Sequence, residues 1–167
     1  KIYVQKDLPI FLYFSTEDNN KGEMHKMTSD STPKFVNPMY LDTEGYNTFR
    51  SPSAVDPVTK ETYYPLTDVI FEMYADSRPP NTKMSYDAAK KYNNGKIQFI
   101  GKDLKIEFSS SDAHAGVEQI LVSIDSLGYK KYETPFVLDK EKVYTIDYYA
   151  VDNVGNAEEA THKLFSV

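Results

Sequence analysis

Tyr144-Thr145-Ile146-Asp147-Tyr148-Tyr149-Ala150-Val151-Asp152-Asn153-Val154-Gly155-Asn156 is the stretch on which the fold turns. Tyr144, Ile146, Tyr148 and Ala150 alternate with Thr145, Asp147, Tyr149 and Val151, the period of two that a strand with one buried face requires. The strand then runs into Asp152-Asn153-Val154-Gly155-Asn156, whose residue types supply turn chemistry rather than prolong a ladder. A long strand needs neighbours, and the flanking sequence supplies them. Leu104, Ile106 and Phe108 alternate with Lys105, Glu107 and Ser109; Ile120, Val122 and Ile124 lie in phase around Leu121 and Ser123; Phe165 and Val167 complete the set. Turn chemistry at Ser111–His114, Asp125–Gly128, Asp139–Lys142 and Asp152–Asn156 breaks these runs, so an antiparallel β-sandwich is expected. Asp87 to Tyr92 has helical propensity in Ala88-Ala89-Lys90-Lys91 but is too short to hold a helix, and reads as a turn.

The chain also resembles itself. Lys1-Ile2-Tyr3-Val4-Gln5-Lys6-Asp7-Leu8 parallels Lys96-Ile97-Gln98-Phe99-Ile100-Gly101-Lys102-Asp103-Leu104, and the polar loops Asp18–Gly22 and Asp112–Gly116 follow in each case. Pro38–Asp42 matches Pro135–Asp139, and Ala54-Val55-Asp56 matches Ala150-Val151-Asp152, at an offset of about 96 residues, the size of a domain. Two tandem all-β sandwiches are therefore expected, residues 1–76 and 82–167, with Ser77-Arg78-Pro79-Pro80-Asn81 as a semi-rigid linker, residues 77–81. The first copy has no counterpart of Thr82–Gly95 and so lacks its first strand; the chain reads as a piece of a longer array.

Ser111-Asp112-Ala113-His114-Ala115-Gly116-Val117-Glu118, Ser123-Ile124-Asp125 with Tyr132 and Pro135-Phe136, and Tyr148 through Asn156 together resemble bacterial extracytoplasmic immunoglobulin-like or fibronectin type III-like repeats, including outer-membrane-protein-type repeat domains. The resemblance covers most of residues 97–167; in the first copy Asp56-Pro57-Val58-Thr59 replaces the Asn-Val-Gly-Asn turn. It implies a tandem module of a secreted or cell-envelope protein, periplasmic, surface-exposed or secreted, and no catalytic residues.

Composition narrows the function classes. A net charge of −6 with no basic cluster gives no footprint for nucleic acid. No apolar run is long enough for a transmembrane helix, and the opening Lys-Ile-Tyr-Val reads as soluble, mature sequence. The chain has no cysteine, hence no disulfide, thiolate nucleophile or Cys-type zinc site. His25, His114 and His162 fall in different elements, and Glu158-Glu159 and Asp139 with Glu141 read as turn or edge carboxylates, so no enzyme is expected.

Three sets of residues stand out. Asp112, Asp152, Asn153 and Asn156 are expected at the pole where the chain enters the second sandwich, with Asp76 just before the linker. No cofactor is required, but these oxygens would suit Ca²⁺ at the domain junction; the alternative is that they cap their own turns. Tyr63 and Tyr64 lie in a segment about ten residues longer than its counterpart, and read either as a partner-binding loop or as rings covering the sandwich edge. Tyr144 heads a strand where related sandwiches place a tyrosine that reaches back to the backbone, and Tyr149, Val151 and Leu121 form an outward stripe. The functional expectation is a spacer or adhesion element with a protein or glycan partner at the envelope and neighbouring domains in the same chain. The alternatives are an accessory component of an outer-membrane assembly and a carbohydrate-binding appendage of an enzyme.

Overall fold

Alternation of apolar and polar residues turns into paired strands, and the computed structural model describes them over residues 1–11, 13–15, 22–26, 38, 40–41, 43–50, 58–59, 70–88, 90–96, 98–101 and 103–167. Among the described residues all regular structure is extended, without a helix. The chain divides into two compact units, Lys1–Ser77 and Arg78–Val167.

In the first unit the strands are β1 (Tyr3–Gln5), β2 (Tyr13–Ser15), β3 (Met24–Lys26), β4 (Gly45–Arg50) and β5 (Ile70–Asp76). β5 is the centre of a three-stranded sheet, antiparallel to β4 and parallel to β1, while β2 and β3 pair separately. Tyr3, Tyr74 and Tyr46 share one row of that sheet, with Tyr74 at 5.2 Å from the Tyr3 ring and 5.4 Å from the Tyr46 ring. Such cross-strand aromatic pairs hold register as well as adding buried area.

The second unit contains β6 (Asn81–Asp87), β7 (Lys91–Asn93), β8 (Gln98–Ile100), β9 (Leu104–Ser111), β10 (Val117–Ile124), β11 (Lys130–Lys131), β12 (Phe136–Leu138), β13 (Val143–Asp152) and β14 (Thr161–Ser166). They form one sheet in the order β12-β9-β6 and another in the order β11-β10-β13-β14-β8-β7. Asp87 ends β6 and Lys91 and Tyr92 lie in β7, so both ends of the stretch expected to be a turn are strand.

The phase read from the sequence is the phase observed. Leu104, Ile106 and Phe108 from β9, Val122 from β10, and Tyr144, Ile146 and Tyr148 from β13 pack with Phe165 and Leu138 into one core, with Ile120, Ile124 and Val167 at its margin. Leu104, Ile106 and Ile146 are wholly buried, each burial being worth about 1.5–3 kcal/mol. The Tyr144 hydroxyl accepts the Lys140 N–H at 3.2 Å, tying the head of β13 to the turn before it. Tyr132 plays a related part at an edge: β12 pairs with β9 only at Leu104–Ile106, and the Phe108 N–H beyond it donates to the Tyr132 hydroxyl at 3.2 Å.

Register fixes where the ends lie. Asn81 pairs with Ser111 and Val117 with Asp152, so the start of β6, the β9–β10 loop and the end of β13 share one pole. Ser166 pairs with Val143, so β14 finishes at the opposite pole.

Candidate functional site

Two loops build the pole at which β6 begins. β9 ends at Ser111, and the next residue, Asp112, turns its Oδ2 back onto the loop to accept the N–H groups of His114 and Gly116, each at 2.9 Å. This is an Asx-type cap, the arrangement that makes aspartate common at such turns. Gly116 has φ +80°, and a Cβ there would stand 3.3 Å from the Asn153 side-chain nitrogen, so both conformation and space call for glycine.

β13 delivers Asp152 to the same place. Its Oδ1 accepts Val154 N–H at 2.9 Å and Asn156 N–H at 2.8 Å, and its Oδ2 accepts the Asn156 Nδ2 at 2.7 Å. Asn153 then bridges the loops: its backbone N–H donates to Gly116 O at 3.0 Å and its Nδ2 to Ala115 O at 2.9 Å. The turn-capping bonds weighed in the sequence are thus present, and both asparagine amides act as braces through their nitrogens.

They leave one group unaccounted for. Asp112 Oδ1 is shut off from solvent and has no hydrogen-bond partner. Asp152 is fully buried, and one carboxylate oxygen of Asp112 lies within 4.8 Å of one from Asp152. No lysine, arginine or histidine among the described residues is paired with either carboxylate. Asp76, the other carboxylate of the expected set, ends β5 in the first unit, where it is buried and its carbonyl accepts the Lys6 N–H at 3.1 Å. Tyr63 and Tyr64 lie outside the described residues.

Glu158, read from the sequence as a turn carboxylate, is a clasp at this pole. Its Oε1 accepts Ala150 N–H at 2.7 Å and its Oε2 accepts Thr82 N–H at 3.0 Å, joining β13 of one sheet to β6 of the other. Its partner Thr82 is 76 residues away, so no local pattern announces the role.

Away from the pole, the open side between β11 and β12 holds a groove of about 480 Å³ over Val122, Ile124, Tyr132 and Phe136, rimmed by Leu127 and Lys130. On the outer sheet face, Leu121 stands opposite Tyr149, and the Tyr129 ring packs edge-on against Tyr149 at 4.9 Å. Ser123, Asp147 and His162 occupy one row of the same face, with His162 Nδ1 2.6 Å from Asp147 Oδ1. A nucleophile relay needs imidazole between hydroxyl and carboxylate; here the aspartate is central, and strand spacing sets the serine and histidine backbones about 10 Å apart.

No protein-family model matches the chain, and no curated protein matches it.

Proposed function

We propose that this chain is a non-catalytic tandem immunoglobulin-like module of a larger bacterial secreted or envelope protein, acting outside the cytoplasm as a spacer and protein-interaction element. The observation that carries the reading is the threading of the second unit: β6 starts at the Asp112–Asp152 pole and β14 ends at the other. A module threaded from pole to pole passes a load along its strands, which suits repeats strung end to end. Hydrogen bonding across the pole, through Asn153 and Glu158, supports it by making that end rigid. Two further features favour the immunoglobulin-like assignment: the Tyr144 hydroxyl anchored on Lys140, and the pairing of a strand early in the unit with the last one, β8 parallel to β14. The first unit has the same arrangement in β1, β5 and β4.

Single-molecule stretching of the whole chain tests the reading. A spacer is expected to give a discrete force peak for residues 78–167, because the strands between the poles yield together. Gradual lengthening with no peak would overturn it. The interaction part rests on the groove between β11 and β12, whose exposed Leu127 and apolar floor suit a protein side chain better than a sugar. Crosslinking in envelope extracts is expected to place the partner on residues 122–136.

A further inference from the structure

We propose that the Asp112–Asp152 pole of the second unit binds a calcium ion. Capping the two loops leaves a carboxylate oxygen, Asp112 Oδ1, buried and without a donor, while Asp112 Oδ2 and both oxygens of Asp152 accept hydrogen bonds. A buried acceptor left without a partner is costly, and a bound ion or water is its usual explanation. The second carboxylate decides between them. Asp152 brings another negative charge within 4.8 Å, is fully buried, and has no cationic side chain among the described residues to balance it.

The donor chemistry selects the ion. Both side chains offer oxygen only, which favours a hard cation over zinc or copper. Calcium–oxygen distances of about 2.3–2.6 Å allow one ion to reach two oxygens separated by as much as about 5 Å. A carboxylate oxygen has two acceptor positions; both are open on Asp112 Oδ1 and one on Asp152 Oδ2, so the bonds that hold the loops need not be given up. Calcium also tolerates irregular geometry and completes its shell of six to eight oxygens with water, whereas magnesium demands a near-regular octahedron. The loops are already tied by Asn153, so the ion meets a formed pair of ligands. The inference is independent of the spacer reading, since it rests on the second unit's own side chains.

The test titrates the whole chain with calcium chloride after chelation, by calorimetry and by thermal unfolding, and repeats it on Asp112→Asn. That substitution keeps a carbonyl oxygen for the His114 and Gly116 N–H groups and puts an amide donor in place of the unpartnered Oδ1. The wild type is expected to give saturable heat and a raised melting temperature. Asp112→Asn is expected to bind calcium roughly tenfold more weakly or not at all, and to melt no lower than wild type in chelator. Amide resonances of His114, Gly116, Val154 and Asn156 in the wild type give a readout that needs no variant, and these are expected to move with calcium but not with the same concentration of magnesium chloride. A wild type without heat or melting shift, an Asp112→Asn chain that binds as tightly, resonance changes elsewhere, or an equal response to magnesium would each overturn the site.

Discussion

Asp125 and Ser126 follow one another with φ of 53° and 58°, a left-handed pair that few side chains tolerate and that aspartate accepts through its own hydrogen bonds. Leu127 N–H closes the turn on Ile124 O at 3.1 Å, while Asp125 Oδ1 accepts Thr145 N–H at 3.1 Å and Oδ2 pairs with the Lys142 ammonium. The lysine hydrogen bond, with help from the Thr145 N–H, holds the Asp125 carboxyl below its ordinary value. A carboxyl depressed in the folded state stabilises it above the unfolded value, and that contribution disappears as pH falls through the folded one. The stability difference between wild type and Asp125→Asn should therefore be largest near neutral pH and vanish on acidification well below the unfolded value. Denaturant midpoints across that range read it, and added salt should shrink it because the pair is exposed. A difference constant with pH would mean that only the left-handed backbone distinguishes the two side chains.

Strand β13 shows how far a pattern goes at the level of the element. Ile146 is wholly buried and Thr145 only partly so, as the alternation of the sequence requires. Ile146→Ala should cost about 2–5 kcal/mol and Thr145→Ala less than about 1 kcal/mol, read from denaturant unfolding of the whole chain. Equal losses would place both faces of β13 under cover. The same element carries what alternation does not encode. Ala150 shows only as an inward residue in the pattern, yet its N–H is the one that holds Glu158, and through it Thr82 in the facing sheet. Likewise the turn at Asp152–Asn156 is legible as a turn, while its brace across to Ala115 is not.

Over the whole molecule, every described residue of the core formed by Leu104, Ile106, Val122, Tyr144, Ile146 and Phe165 lies within residues 78–167. Those residues expressed separately should unfold in one cooperative transition, followed by circular dichroism and aromatic fluorescence in denaturant. Two transitions, or none, would place part of that core elsewhere. The sequence by itself determined the all-β class, the inward face of β9, β10 and β13, and the turns between them, because each is written in residues at most a few positions apart. Alternation states which way a side chain points but not which strand lies alongside. The pole shared by Asp112 and Asp152 was legible from the expected strand order; the tertiary structure alone decided that capping leaves Asp112 Oδ1 without a partner, that Tyr132 supplies the partner Phe108 lacks beyond β12, and that Glu158 spans the two sheets. Those contacts follow from strand order and register, which are set by the fit of entire sheets over one core, so the buried oxygen of Asp112 becomes visible only when that core has closed.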